Sequence, residues 1–209
     1  MRAHGGRRLR GKVGKVIHRL VDFVLLRLSK SISVDGLWIG AFCDEDQGEV
    51  IQRVKSALDL IKAHDAKRYK QAIASFDRIW VSYLFGAVGQ YAPELRRCRL
   101  DPGFVLSSSV ETIASTIVHE ATHARLINVG IPYAYENRHR VEKACIRQEL
   151  AFAQRVPGAE ELRRRINEKL LLDPDVWSKE ASSARFREAF VESDGGLPKW
   201  LRRGLFKAK

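Results

Sequence analysis

The chain has 209 residues, of which 45% are hydrophobic, so it is long enough to bury a substantial core. No stretch approaches the roughly 20 apolar residues that span a bilayer, and the three cysteines include no C-x-x-C pair. These features predict a globular protein of the reducing cytoplasm, and they argue against a disulfide framework and against a thiolate zinc site.

The net charge of +12 is concentrated at the two ends of the chain. Residues 1–30 hold nine Lys or Arg and one Asp, and residues 199–209 hold five Lys or Arg and no acid. The sequence therefore predicts a basic N-terminal segment over 1–30, a single domain over 31–196 and a basic C-terminal tail over 197–209. Because that domain is almost neutral and carries no recognised nucleic-acid-binding signature, we expect no specific nucleic acid partner.

The N-terminal segment has the pattern of a basic amphipathic helix, because apolar residues recur at helical spacing between Lys15, Arg19 and Arg27. The C-terminal tail also mixes apolar residues such as Trp200 and Phe206 with basic ones. Together the two ends would attach the protein peripherally to the anionic inner face of a membrane. Docking of the same apolar residues on the protein body explains the pattern equally well, and the sequence leaves both alternatives open.

The residues between the ends predict an α+β fold that is predominantly helical. Segments rich in β-branched and aromatic residues predict strands, and apolar residues at intervals of three and four predict helices. In chain order the pattern predicts a strand over 34–42, helices over 49–64 and 65–75, a strand over 78–85, a turn at 101–103, a strand over 104–107, a helix over 108–128 and further helices from 138 onward, with breaks near Pro157-Gly158 and Asp173-Pro174.

The helix predicted over 108–128 has clear start and stop signals. Ser108 and Glu111 stand in the S-x-x-E relation of a capping box, immediately before an apolar run. Gly130 and Pro132 follow the last periodic residues, and both favour the end of a helix. This helix is the most strongly indicated element of the chain.

The same helix carries the run His119-Glu120-Ala121-Thr122-His123, an H-E-x-x-H motif. Residues four apart lie on one face of a helix, so the two imidazoles can direct their nitrogens at a single metal ion. The glutamate lies beside that face, where it can accept a proton from a water molecule held by the metal. The pattern therefore predicts a metal site with a neighbouring general base.

The order of these elements resembles the core of the zincin metallopeptidases: a short strand, a helix with H-E-x-x-H, a loop, and a second helix with a glutamate. It is most similar to the compact gluzincins, or minigluzincins, whose third metal ligand is a glutamate on the second helix. The resemblance covers roughly residues 78–156 and implies a small sheet packed against the H-E-x-x-H helix, with the 104–107 strand at or near the sheet edge. The longer metzincin motif is excluded, because Leu126 and Val129 stand where it requires Gly and His.

A third protein ligand is expected besides the two imidazoles, because hydrolytic zinc sites typically have three. The helix predicted from residue 138 presents His139, Glu142 and Glu149 on one stripe. Glu142 follows His123 by 19 positions, close to the interval in thermolysin-like gluzincins. The resemblance therefore implies His119, His123 and Glu142 as the metal ligands, with His139 and Glu149 as alternatives for the third.

The resemblance implies a zinc-dependent peptidase that acts on a peptide or protein substrate. Zn²⁺ would polarise the scissile carbonyl and activate its bound water, and Glu120 would be the general base. The strand over 104–107 would pair with an extended peptide and hold it across the metal. The alternative function is a zinc-binding sensor or protein-interaction module of gluzincin type without hydrolytic activity.

Two further roles are expected near the metal. A donor for the oxyanion is needed, and Tyr133 and Tyr135, on the loop between the two metal helices, are the nearest candidates in sequence. Either tyrosine fits an ordinary packing role as well. Arg125 and Arg138 are candidates for orienting a substrate carboxylate.

Overall fold

A computed structural model describes residue 27 and residues 29–192. The basic tail over 197–209 therefore lies outside the described residues. The amphipathic helix predicted in the N-terminal segment also lies outside them, apart from residue 27, and Lys30 at the end of that segment begins the first strand. Both stay predictions. Within the described part of the chain, no helix has the length and apolar character needed to cross a membrane.

One mixed sheet forms the first layer of the fold. Its strands are β1 (Lys30–Val34), β2 (Leu37–Ala41), β3 (Arg78–Val81), β4 (Gly89–Ala92) and β5 (Arg97–Leu100). They lie in the order β1-β2-β3-β5-β4, so β4 is an edge strand. β2, β3 and β5 run parallel, whereas the two outer strands pair antiparallel with their neighbours. The strand predicted over 78–85 is confirmed for its first four residues.

The segment 34–42, which was predicted as one strand, contains the end of β1, a turn and strand β2, so the two strands form a hairpin. β1 and β2 pair with Val34 opposite Leu37, which leaves Asp35 and Gly36 as a two-residue turn. Both turn residues have positive φ, 48° and 84°, as the tight hairpin turns that match strand twist require. Asp and Gly are the residue types that adopt this conformation at low cost.

Helices form the second layer and cover most of the described chain. They are α1 (Gln47–His64), α2 (Ala66–Ser75), α3 (Pro102–Ser107), α4 (Val110–Asn128), α5 (Arg138–Ala153), α6 (Glu160–Leu170) and α7 (Lys179–Glu192), with short 3₁₀ turns at Pro93–Leu95 and Pro174–Trp177. The helices predicted over 49–64 and 65–75, those from 138 onward, and both breaks are confirmed. The fold is α+β and mostly helical, with a small mixed sheet, as expected.

The prediction of a strand over 104–107 is wrong, because these residues form the end of helix α3. Asp101 caps that helix, and its side chain accepts a hydrogen bond of 3.1 Å from the backbone N–H of Phe104. Pro102 occupies the first helical position, where its fixed φ favours a helix and its missing N–H costs nothing. Asp-Pro-Gly is therefore a helix start here, and Val105 becomes a core residue.

The predicted start of the next helix is shifted by one residue. Ser109 caps α4, and its hydroxyl accepts a hydrogen bond from the N–H of Thr112. Ser108 instead ends α3, since its N–H donates to the carbonyl of Phe104. The two helices thus share the Ser108-Ser109 junction, and the capping box predicted with Glu111 is not formed.

The hydrophobic core lies between the sheet and the helices, and α4 runs through its centre. Strand residues Ile39, Ile79 and Leu100 are completely buried, as are Ile113 and Ile117 of α4. Burying each such side chain contributes about 1.5–3 kcal/mol. Because α4 packs on α1, on α5 and on the edge strand β4, its polar face meets both α5 and the sheet edge.

Candidate metal centre

Helix α4 brings the two histidines of the H-E-x-x-H run together. The rings of His119 and His123 lie one helical turn apart, with centroids separated by 4.8 Å. Their Nε2 atoms are 3.0 Å apart. His123 is 8% exposed, so this pair lies largely away from solvent. The spacing in the sequence has therefore produced the expected pair of converging imidazole nitrogens.

Helix α5 adds Glu142 to this pair. Its Oε2 lies 3.2 Å from Nε2 of His119, and its Oε1 lies 3.7 Å from Nε2 of His123. The hydroxyl of Tyr133 donates a hydrogen bond to Oε1. The side chain is 11% exposed. Glu142 is thus the carboxylate that faces the Nε2 atoms of both histidines.

Glu149 meets the other side of His119. Its Oε1 accepts a hydrogen bond of 2.6 Å from Nδ1 of His119. Its Oε2 accepts a hydrogen bond of 3.0 Å from the hydroxyl of Ser115 and lies 3.6 Å from the ammonium of Lys169. Because it binds Nδ1, Glu149 orients the imidazole and leaves Nε2 free to point toward His123 and Glu142.

His139, the other alternative for the third ligand, is not brought to the cluster. Its ring packs against Trp177, with centroids 5.5 Å apart. His139 and Glu142 are three residues apart on α5, and only Glu142 lines the cleft that contains the two histidines. His139 and Glu142, which were predicted to share one face of α5, therefore have different surroundings.

Cys145 also lies beside the histidines. Its Sγ and the ligand nitrogens of His119 and His123 all lie within 4.8 Å of one another, so these three groups could hold a metal ion. The sequence argument against a thiolate ligand considered only paired cysteines, and this thiol stands alone. Burial raises the pKa of the Cys145 thiol, and the charge of Glu142 raises it further. The sulfur therefore keeps its proton at neutral pH.

Charges inside the cluster favour a bound cation. Burial alone would lower the pKa of His119, but hydrogen bonds with Glu142 and Glu149 raise that pKa well above its usual value. Burial and the nearby charge of His119 lower the pKa of His123 to about 4. Burial would raise the pKa of Glu142, yet its hydrogen bond with His119 lowers that pKa to about 2. Glu142 is therefore ionised at neutral pH and places a negative charge beside the two Nε2 atoms.

Glu120 is buried between helix α4 and the edge strand β4. It is 5% exposed, and the backbone N–H of Tyr91 lies close enough to its carboxylate to lower its pKa. A Cβ on Gly89 would lie 2.8 Å from Cγ2 of Thr116 and 3.0 Å from Oε1 of Glu120, so glycine permits this close approach. Burial raises the pKa of Glu120 to about 7. Glu120 therefore changes protonation state near neutral pH.

A cleft of about 1160 Å³ opens at the cluster. One side is formed by residues 88–91, which include most of strand β4, and another by Ser182 and Arg185 of helix α7. The loop before β4 contacts α7 through Phe85 and Phe186, whose ring centroids are 6.1 Å apart. The cleft therefore lies between the sheet edge and helices α4, α5 and α7.

The four residues considered for the oxyanion and for a substrate carboxylate have different surroundings. Tyr133 lines the cleft and has its hydroxyl on Glu142, whereas Tyr135 is 54% exposed. Arg138 also lines the cleft. Arg125 is exposed and does not contribute to the described lining of the cleft.

Three features of the site were missed from the sequence. Strand β4 was missed because it has only four residues and no alternation of polar and apolar residues. Its neighbour β5 could have been predicted as a strand, because Arg97-Cys98-Arg99-Leu100 alternates in this way. Cys145 stands three residues after Glu142 on the same helix, and that spacing could have indicated it. Nothing in the sequence predicted the hydrogen bond that the hydroxyl of Ser115 donates to Glu149.

Comparison with known proteins gives no match: no family model fits the chain, and no curated protein or solved structure is similar enough to report.

Proposed function

We propose that the protein is a zinc-dependent peptidase with His119, His123 and Glu142 as metal ligands and Glu120 as general base. One observation carries this proposal. Two imidazole Nε2 atoms and one ionised carboxylate converge with separations of 3.0, 3.2 and 3.7 Å beside a buried glutamate. Two histidines, a carboxylate ligand and an adjacent base are the groups that hydrolytic zinc sites use.

The separations fit a single zinc ion. Ligand atoms about 2.0–2.2 Å from a tetrahedral zinc lie roughly 3.4 Å from one another. The distances among His119, His123 and Glu142 lie on both sides of that value. Glu142 is a better third ligand than Cys145, because its oxygens lie 3.2 and 3.7 Å from the two Nε2 atoms, whereas the set of atoms that includes the sulfur spreads over up to 4.8 Å.

When bound, zinc would supply Lewis-acid chemistry to the carbonyl group of the substrate. The residues of the chain supply the remaining functions. Glu120 accepts a proton from the attacking water and returns it to the leaving amine, and a pKa of about 7 suits both transfers. Glu149 fixes the ring of His119 through Nδ1. Tyr133 is engaged with Glu142, so it positions that carboxylate.

Strand β4 is the proposed peptide-binding edge, in the role first expected of 104–107. Gly89, Gln90 and Tyr91 line the cleft, and β4 has a paired neighbour, β5, only on its other side among the described strands. An extended peptide can add to such an edge through backbone hydrogen bonds. Close contact between Gly89 and Glu120 would keep that peptide near the proposed general base.

The test compares metal content and hydrolysis in wild type and Glu120→Gln. The substitution preserves size but removes the proton acceptor, so zinc should stay at one equivalent while cleavage of a peptide library falls about 100- to 10,000-fold. Glu136→Gln is the matched control, because Glu136 is exposed on the loop before α5 and outside the described cleft lining. Zinc binding without any cleavage by wild type would favour a sensor or interaction module. Absence of zinc would refute both functions.

A further inference from the structure

We propose that Arg138 binds a substrate carboxylate, so that the enzyme prefers peptides with an acidic group close to the scissile bond. This inference rests on the proposed peptidase function. The metal cluster alone does not determine the chemical class of the substrate. The carboxylate can belong to an Asp or Glu side chain or to the C-terminus of the peptide, because both present the same pair of oxygens.

The guanidinium of Arg138 is close to the proposed metal ligands. Its central carbon lies 4.8 Å from the ring centroid of Tyr133, and that ring centroid lies 4.9 Å from the ring centroid of His123. The guanidinium is therefore within about 10 Å of the His123 ring. An extended peptide spans about 3.3–3.6 Å per residue. A carboxylate within about three residues of the scissile bond can consequently reach Arg138.

Arg138 is held in place by groups that leave its charge unneutralised. The guanidinium contacts two aromatic rings, since its central carbon lies 4.3 Å from the ring centroid of Tyr135 and 4.8 Å from that of Tyr133. Its Nη1 donates a hydrogen bond of 2.8 Å to the hydroxyl of Ser182, and its buried Nε has no hydrogen-bond partner. Aromatic contacts and one neutral acceptor orient the side chain without using all five of its N–H donors.

Three of the four acidic groups that line the cleft have other partners, and the fourth, Glu120, is the proposed general base. Glu142 and Glu149 bond to His119. The carboxylate of Asp101 accepts backbone N–H groups from Phe104 and Leu84. No carboxylate in the described part of the chain pairs with Arg138, so the cleft contains a fixed guanidinium that has no anion of its own.

A second cation strengthens the same wall of the cleft. Arg185 of α7 lines the cleft and donates hydrogen bonds to the carbonyl of Val176 and to the hydroxyl of Ser182, both of them neutral acceptors. Ser182 therefore lies between two arginines. A planar guanidinium that is pre-oriented in this way matches the geometry of a carboxylate, to which it can donate two parallel hydrogen bonds.

The first experiment measures cleavage specificity with zinc-loaded wild type, Arg138→Gln and Arg140→Gln. Arg140 is the matched control, since it stands two residues away on the same helix, is exposed and is outside the described cleft lining. The substrates are peptide libraries with free and with amidated C-termini. Wild type and Arg140→Gln should prefer sites with an acidic group within three residues, and Arg138→Gln should lose that preference by about 10- to 100-fold in kcat/KM while still cleaving neutral peptides.

The two libraries distinguish the source of the carboxylate. If amidation removes the preference, the group is the peptide C-terminus; if the preference survives amidation, it is an Asp or Glu side chain. Cleavage without any acidic preference, or with a preference that Arg138→Gln retains, would overturn this inference and leave the peptidase function standing.

A binding experiment decides the inference without turnover. Zinc-loaded Glu120→Gln is titrated with fluorescein-labelled, alanine-based octapeptides, and anisotropy is measured. One set has an amidated C-terminus and carries one Glu or one Gln at each position, and a second set contains only alanine and has a free or an amidated C-terminus. In at least one set the peptide with the additional carboxylate should bind about 10-fold tighter or more, and adding Arg138→Gln should abolish the difference. Equal binding within both sets would refute the role of Arg138. Failure of the peptidase function would appear separately, as absence of cleavage by wild type.

Discussion

Nδ1 of His119 and Oε1 of Glu149 are joined by a hydrogen bond of 2.6 Å that links helix α4 to helix α5. This bond fixes the orientation of the ring and directs its Nε2 toward His123 and Glu142. Glu149 is itself held by Ser115 and lies near Lys169. A carboxylate on the remote nitrogen of a ligating histidine commonly tunes metal affinity without touching the metal.

Glu149→Gln should therefore weaken zinc binding about 10- to 100-fold without abolishing it. The amide can still occupy the space of the carboxylate but provides no negative charge for the imidazole. Zinc affinity is measured by competition with a chelator of known affinity, and circular dichroism checks the fold. Complete loss of zinc, equal to that of a His123→Ala variant, would instead make Glu149 a direct ligand.

The identity of the third ligand is tested with three variants on α5. Glu142→Ala should reduce zinc in the purified protein to well below one equivalent, because the proposed carboxylate ligand is removed. Cys145→Ser should retain zinc, since Glu142 faces both Nε2 atoms and supplies the third ligand of the proposed site. His139→Ala, whose ring packs on Trp177, is the control and should also retain zinc. Zinc loss in Cys145→Ser together with full zinc in Glu142→Ala would assign the sulfur as ligand.

Gly89 should be intolerant of a side chain, because its Cβ would meet Thr116 at 2.8 Å and Glu120 at 3.0 Å. Gly89→Ala would push β4 away from α4 and displace the proposed base, which should lower hydrolysis by about 10- to 100-fold. Glu94→Ala in the turn that follows β4 is the control, because Glu94 is exposed and outside the described cleft lining.

The double variant Gly89→Ala/Thr116→Ser identifies the cause of that loss. Serine lacks the methyl group that the new Cβ would meet, so part of the lost activity should return. Wild-type activity in Gly89→Ala alone would show that close packing of β4 against α4 is unnecessary for catalysis.

Asp65 should make folding stability depend on pH. Burial would raise its pKa, but hydrogen bonds from the backbone and side chain of Arg68, together with the charge of Arg155, lower it. A lowered pKa in the folded state means that Asp65 stabilises the protein above its unfolded pKa of about 3.9, and that this contribution is lost as pH falls through the folded value.

Asp65→Asn should accordingly reduce the free energy of unfolding by about 2–3 kcal/mol at pH 7. The difference from wild type should shrink as pH falls below about 4, where the carboxylate becomes protonated in the unfolded wild-type chain, and it should vanish as pH falls through the lower folded value. Urea unfolding of both proteins across this pH range measures the effect. A difference that is constant with pH would mean that shape and not charge makes Asp65 stabilising.

The sequence determined the features that depend on residues close together in the chain. His119 and His123 share a face because four residues make about one helical turn, and Asp35-Gly36 makes a tight turn because both residues accept positive φ. Helix α4 was predictable within two residues because its apolar periodicity is long. The reading of 104–107 failed because four apolar and small residues fit a strand or a helix equally well, and the cap at Asp101 decided the outcome.

The tertiary structure alone decided how the residues of α5 are used. Glu142 and Glu149 lie on the same stripe of that helix, and the sequence could not assign one to the Nε2 atoms and the other to Nδ1. That assignment depends on the crossing of α5 over α4, which is set by the packing of whole helices. The edge strand β4 is likewise a product of its partner, because four residues form a strand only where β5 supplies hydrogen bonds and Gly89 admits the close contact with α4.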